Sequence, residues 1–188
     1  MKFAPQLLLV TLASTSFALA EQAPQPESSA PGWLQSQTTD TVRGYTYTRF
    51  TLAGKFLNAP QGMNAPRPAL VVDCIPSQDS HASKGKFLSG SLMVGTTLKI
   101  VYVEPEEIHG MSYYPKVAVQ LRTDARREDE NWSPGTDNTS ANIGKGAMKR
   151  ILRARTVAIT ADDNNGSPVA MQFDMPDAKL VDQGCDVD

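Results

Sequence analysis

Cysteine and histidine are scarce in this 188-residue chain, with two of each. Two histidines with no ligand cysteine argue against a catalytic zinc centre, which takes three protein ligands. Long hydrophobic runs are missing too. After residue 20 nothing approaches the ~20 apolar residues that a membrane-spanning helix needs. Positive charge is not in excess, with 18 Lys plus Arg against 20 Asp plus Glu. The chain therefore lacks the broad electropositive field of a nucleic-acid or anionic-lipid binder. A G-x-S-x-G nucleophile context is also absent. Ser89-Gly90-Ser91 falls inside an expected strand and reads as a bend or bulge where glycine avoids a side-chain clash.

Residues 1–20, MKFAPQLLLVTLASTSFALA, read as an export signal. Lys2 supplies the positive start, Leu7 to Leu12 a short apolar stretch, and Ala18-Leu19-Ala20 a small-x-small cleavage site before Glu21. No Cys follows the cleavage site, so a lipid anchor there is not expected. Losing residues 1–20 removes one base and no acid, which leaves a net charge of −3 on 168 residues. That length suits one domain with an ordinary core. The expected location is periplasmic or secreted, and no cofactor is implied.

Both cysteines, Cys74 and Cys185, lie in the exported part. In an oxidising compartment they form one intramolecular disulfide. Closing a loop of roughly 110 residues contributes on the order of 4–5 kcal/mol in the chain-entropy view. Residues 21–31, EQAPQPESSAP, are too poor in large apolar groups to offset their ordering entropy and read as a flexible linker. The folded domain is placed at 32–188.

Within it, β-like runs follow one another. Tyr45, Tyr47 and Arg49 alternate with Thr46 and Thr48, and PALVVDC (68–74) is a compact apolar strand ending on Cys74. Lys86 to Val94 and Thr97 to Val103 read as two strands of a hairpin split at Gly95-Thr96. KVAVQL (116–121) places Val117, Val119 and Leu121 on one face. The charged run Arg122 to Asn131 breaks the strand pattern. Gly146 to Ala154 is the best helix, with Met148, Ile151 and Leu152 at i, i+3 and i+4. Arg155 to Thr160 and Pro168 to Phe173 flank an Asn-Gly turn, and Asp177 to Gln183 forms a last helical turn before Cys185. About seven strands and one or two short helices joined by Gly/Pro/Asn turns predict a mainly β domain. The fold class is a single antiparallel sandwich or small barrel-like domain.

Candidate chemistry is sparse. Glu104, Glu106, Glu107 and His109 form the richest cluster, yet their spacing matches no zinc signature. A solvated acidic turn is the plainer reading, and a hydrolase using Glu104, Glu107 and His109 is the alternative. Trp132 beside Arg126 and Arg127 offers an interface, since Trp and Arg are favoured anchors. A core position is the competing reading for Trp132, and Trp33 is read in the same way. Tyr113-Tyr114 before Pro115 is either an exposed recognition edge or strand-entry packing. The Pro-rich loop Asn58 to Pro68 is the element an enzyme inhibitor would present.

The layout resembles the periplasmic accessory proteins of type VI secretion (TagO/VasI-type). The matching features are PALVVDC ending on Cys74, a strand closing with Leu121, Arg122 and Asp124, and an isolated Trp132 before Ser133. GAMKRILRARTVAI, VAMQFDMPD (169–177) and the terminal Cys185 complete them, so the likeness covers Leu70 to Cys185. It implies a non-enzymatic envelope component with one disulfide, and it supplies no catalytic residues. The expectation is thus an exported binding or accessory protein whose partner is another envelope or secreted protein.

Overall fold

Strand after strand carries apolar residues at every second position, and the chain folds so that those positions share one face. The computed structural model describes residues 32–58, 67–76, 84–103, 113–124 and 126–187. The expected leader (1–20) and linker (21–31) lie outside the described residues. In chain order the elements are β1 (Leu34–Asp40), β2 (Tyr45–Ala53), β3 (Lys55–Asn58), β4 (Ala69–Ile75), β5 (Gly85–Met93), β6 (Val101–Val103) and β7 (Tyr114–Thr123). They continue as β8 (Arg126–Pro134), β9 (Ser140–Ile143), α1 (Lys145–Arg153), β10 (Thr156–Asp162), β11 (Pro168–Asp174), α2 (Lys179–Gly184) and β12 (Cys185–Asp186).

The fold is mainly β: one antiparallel sheet curls into a half-barrel. Its strand order is β1-β2-β4-β5-β9-β8-β7-β10-β11-β3, with β6 added to β7 and β12 to β5. The β12 pairing is parallel. Gly54 alone separates β2, next to one end of this order, from β3 at the other. A single residue cannot bridge an open sheet, so the two ends must curl towards each other. Glycine is required at this corner. A Cβ on residue 54 would lie 2.5 Å from Phe173 Cε1 and 2.9 Å from the Gln172 carbonyl oxygen.

Inside the curl, Phe50, Leu52, Leu70, Val72, Val117, Leu121, Ile159, Met171 and Phe173 are each at most 1 % exposed. The helix α1 lies on the same core, burying Ala147, Met148, Ile151 and Leu152. Met148 reaches β5 at Gly90, where a Cβ would sit 2.5 Å from Met148 Cε. The clash expected at Ser89-Gly90-Ser91 is therefore real. The neighbouring register shift opposite Asp73/Cys74 leaves Leu88 as the extra residue of a bulge.

Cys74 and Cys185 are disulfide-bonded, with Cα atoms 5.5 Å apart and 111 residues of separation. As expected, the final helical turn delivers Cys185 to a core strand. Among the described residues no helix is long and apolar enough to cross a membrane. The helix expected over 146–154 and the β10–β11 hairpin are present. Asp163 accepts hydrogen bonds from the Asn165 and Ser167 amides (2.9 and 2.8 Å) to shape the hairpin turn, where Gly166 takes φ +79°.

Three expectations are corrected. Lys86–Val94 and Thr97–Val103 do not pair with each other. Instead, β5 pairs with β4 and β9, and β6 pairs with β7. Gly95, at φ +76°, turns the chain away, and the Leu98 amide then bonds the Asn138 carbonyl oxygen (2.8 Å). The charged run that was to break the strand pattern is itself a strand, β8, paired with β7 from Val117↔Trp132 to Thr123↔Arg126. Alternation sends Glu128 and Glu130 beneath α1 and leaves Arg127, Asp129 and Asn131 towards solvent. Among the described residues twelve strands form rather than about seven, because short and polar strands carry little period-2 signal.

Replacing both cysteines with alanine should lower the unfolding free energy by about 2–5 kcal/mol in non-reducing urea titrations. A loss under ~1 kcal/mol would contradict a structural clasp. Gly54→Ala should cost about 1–3 kcal/mol by the same measurement, and an unchanged midpoint would show that the corner tolerates a side chain.

Candidate functional site: an exposed apolar arm

The strand β7 is longer than the sheet that supports it. Its C-terminal part is held between β8, from Val117 onward, and β10, from Val119 onward. Residues Tyr114 to Lys116 extend beyond and pair only with β6, in the register Val101↔Lys116, Tyr102↔Pro115 and Val103↔Tyr114. The result is a two-stranded arm projecting from the sheet. Pro115 has no amide hydrogen to donate, and a proline is tolerated where one strand edge has no neighbour.

Directly paired residues share a face, so Tyr102 and Pro115 occupy one side of the arm and Val103 and Tyr114 the other. Apolar groups are thus presented on both sides. Tyr102 is 68 % exposed, Tyr113 56 %, Tyr114 49 % and Val103 38 %. The β10–β11 hairpin instead turns Val157, Ile159, Met171 and Phe173 into the core. Clustered exposed aromatic residues are the usual mark of a surface that another molecule covers. Of the two readings of Tyr113-Tyr114, the structure selects the exposed edge. Tyr114 falls on the opposite face from Val117, Val119 and Leu121, and the arm has left the core behind.

Trp132 anchors the base of this arm. It lies opposite Val117, is 3 % exposed, and donates from Nε1 to Glu130 Oε2 (2.6 Å). Glu130 is also paired with Arg150 of α1. Arg150 Nε lies 2.9 Å from Glu128 Oε2, a charge contact not aligned as a hydrogen bond. Lys116 donates to Ser133 Oγ (3.1 Å) and fastens the other side of the base. Trp132 is accordingly a core residue, and its candidacy as an exposed interface anchor is corrected. The same strand alternation separates Arg126 from Arg127. Arg126 pairs with Glu128 (2.7 Å) on the core-side face, and Arg127 donates to Gln120 Oε1 (2.6 Å) on the outer face. The three residues do not make one patch. Trp33, read in the same way, is also buried, at 8 %.

A second polar cluster sits on the outer face of β2, β4 and β5. Arg49 donates from Nε and Nη2 to the two oxygens of Asp73 (2.7 and 2.9 Å) and from Nη2 to the Tyr47 hydroxyl (3.2 Å). The hydrogen bond to Asp73 raises the Arg49 pKa above its ordinary value, against the opposing effect of burial. Ser89 Oγ adds a long contact to Asp73 Oδ2 (3.4 Å). A permanently charged Arg that saturates its carboxylate leaves no base to activate Ser89, so the cluster fastens three strands together.

The acidic/His cluster Glu104, Glu107 and His109 lies outside the described residues, as does the span 59–66 of the Pro-rich loop. Among the described residues no three His, Cys, Asp or Glu side chains gather as a metal site. The arm was half visible in the sequence: Tyr113-Tyr114 stood out, whereas Tyr102 read as one residue of an ordinary strand. No family model, curated protein or solved structure matches this chain.

Trp132→Ala should cost about 3–5 kcal/mol of stability, whereas Arg127→Ala should stay within ~0.5 kcal/mol. Thermal or urea unfolding decides it, and equal small effects would return Trp132 to the surface.

Proposed function

We propose that this chain is an exported, non-enzymatic binding or accessory protein of the bacterial cell envelope, associated with a secretion system. It recognises another envelope or secreted protein through the β6–β7 arm. The observation that carries this reading is the arm itself, with tyrosine and valine uncovered on both faces and a rigid base at Trp132. A two-sided apolar ribbon is suited to insertion into a protein groove, where each tyrosine buries a large ring and keeps its hydroxyl for a hydrogen bond. Export is supported by the leader-like residues 1–20 and by a disulfide of the kind that persists in oxidising compartments. The secretion-system association rests on the layout resemblance across Leu70 to Cys185. The hydrolase and inhibitor readings rest on residues 104–109 and on the Asn58–Pro68 loop, and no observation of the structure favours either.

The test is cross-linking capture from the native envelope with the tagged full chain, followed by the Tyr102→Ser/Tyr114→Ser variant. Wild type should enrich a defined envelope protein, and the variant should reduce that recovery about tenfold while keeping its disulfide and melting midpoint. Undiminished capture by the variant would remove the arm from the interface. Cell fractionation checks the other half of the reading: the mature chain should begin at Glu21 outside the cytoplasm, and a cytoplasmic chain retaining residues 1–20 would defeat it.

A further inference from the structure

Beyond the arm, β7 carries a depression of ≈ 430 Å³ on its outer face. Val117, Val119 and Leu121 are buried in the core, so Ala118 and Gln120 point outward between β8 and β10. Directly paired residues share that face. Asn131 lies opposite Ala118, Asp129 opposite Gln120, and Thr160 on the other side of Gln120. Asp162 follows two residues after Thr160 and pairs with Pro168 of β11. Ala118 has the shortest of these side chains and forms the floor, with the longer polar groups standing around it.

What those groups have left to bond selects the ligand. The side chains of Asp129, Asn131 and Thr160 engage no partner among the described residues. Gln120 Oε1 accepts from Arg127 (2.6 Å), which leaves the Gln120 amide NH₂ to donate. Asp162 Oδ2 stands 3.9 Å from Lys99 Nζ, beyond hydrogen-bond length. With Lys99 and Arg127 bordering the two acids, charge of one sign does not dominate. Acceptors and donors instead alternate: carboxylates accept only, and the amides and the hydroxyl do both. A hydroxyl-rich ligand satisfies such a set, because each of its hydroxyls also donates and accepts. From this arrangement we infer that the depression binds a neutral carbohydrate, with a sugar ring over Ala118 and Pro168 and its hydroxyls held by Asp129, Asn131, Gln120 and Thr160. Size agrees, since small-molecule sites measure about 300–1,000 Å³. Three strands about 4.8 Å apart and a two-residue repeat of about 6.8 Å give a footprint of roughly 10 by 7 Å, which suits a sugar ring. Ladders on both sides of β7 hold the backbone in place before a ligand arrives. The site shares no residue with the β6–β7 arm, so it stands independently of the proposed partner interface.

The test is an amide NMR titration of the ¹⁵N-labelled, disulfide-bonded chain with maltotriose, cellotriose and chitotriose in separate experiments, and with putrescine as the cationic comparison. Saturable shifts confined to residues around 118–120, 129–131 and 160–162 are expected with at least one sugar. Asp129→Ala/Asn131→Ala should weaken that binding about tenfold or more at an unchanged melting midpoint. Ala118→Leu removes no polar group but fills the floor, and it should weaken binding as much. Should the alanine pair disturb the fold, Thr160→Val keeps the side-chain shape and should still weaken binding severalfold. Absence of saturable local shifts with all three sugars would overturn the assignment, as would shifts with putrescine alone, which mark a cation site. Sugar binding that survives these substitutions would place it elsewhere and overturn the assignment as well.

Discussion

The bond between Cys74 and Cys185 is the constraint on which the rest of the molecule leans. Cys74 lies in β4, hydrogen-bonded between β2 and β5 and 1 % exposed. Through it the final segment is drawn onto the sheet, where β12 gains only a two-residue parallel pairing with β5. So short a ladder cannot hold a chain end by itself. The covalent link holds it, and Val181 and Val187 are thereby added to the core. Gly184 packs so tightly that a Cβ would meet Phe50 Cζ at 2.6 Å. Gly85 is equally confined, between the Ile75 and Gly184 carbonyl oxygens at 2.6 and 2.9 Å. Where three backbones approach this closely, side chains have no room, and the glycines follow from the clasp.

The disulfide acts at one place on the curled sheet, and the Gly54 corner acts at another. The corner brings the two ends of the strand order towards each other, and the clasp adds a tail inside the resulting curl. Together they leave α1 with a complete apolar bed. They also leave α1 and the β6–β7 arm in contrasting positions. Among the described residues the arm extends past the strands beside it and stays exposed, whereas α1 lies on the core. That contrast follows from which backbone edges the sheet uses and which it leaves over.

Polar residues inside the fold show the same economy of partners. Glu128 and Glu130 pair with Arg150 of α1, Trp132 joins them through its indole N–H, and the exposed Arg126 caps Glu128 from outside. Partly exposed ion pairs of this kind contribute little net stability, about 0–1 kcal/mol each. Their value lies in position, because they fasten α1 to β8.

By themselves, the residues determined whatever depends on local period and on counting. KVAVQL had to be a half-buried strand, Met148, Ile151 and Leu152 had to share a helix face, and two cysteines admit one intramolecular pairing. Only the tertiary structure decided what depends on distant neighbours. RREDEN reads as solvated charge until α1 supplies Arg150 to its glutamates, and Trp132 reads as core more readily than as surface but has no partner assigned until Val117 is placed opposite it. Of the span Thr97 to Val103, only Val101 to Val103 pair with β7, and a left-handed glycine at 95 directs the chain away from β5. The arm belongs to this second class. Exposure is a property of what fails to arrive beside a residue, and no stretch of sequence records that locally.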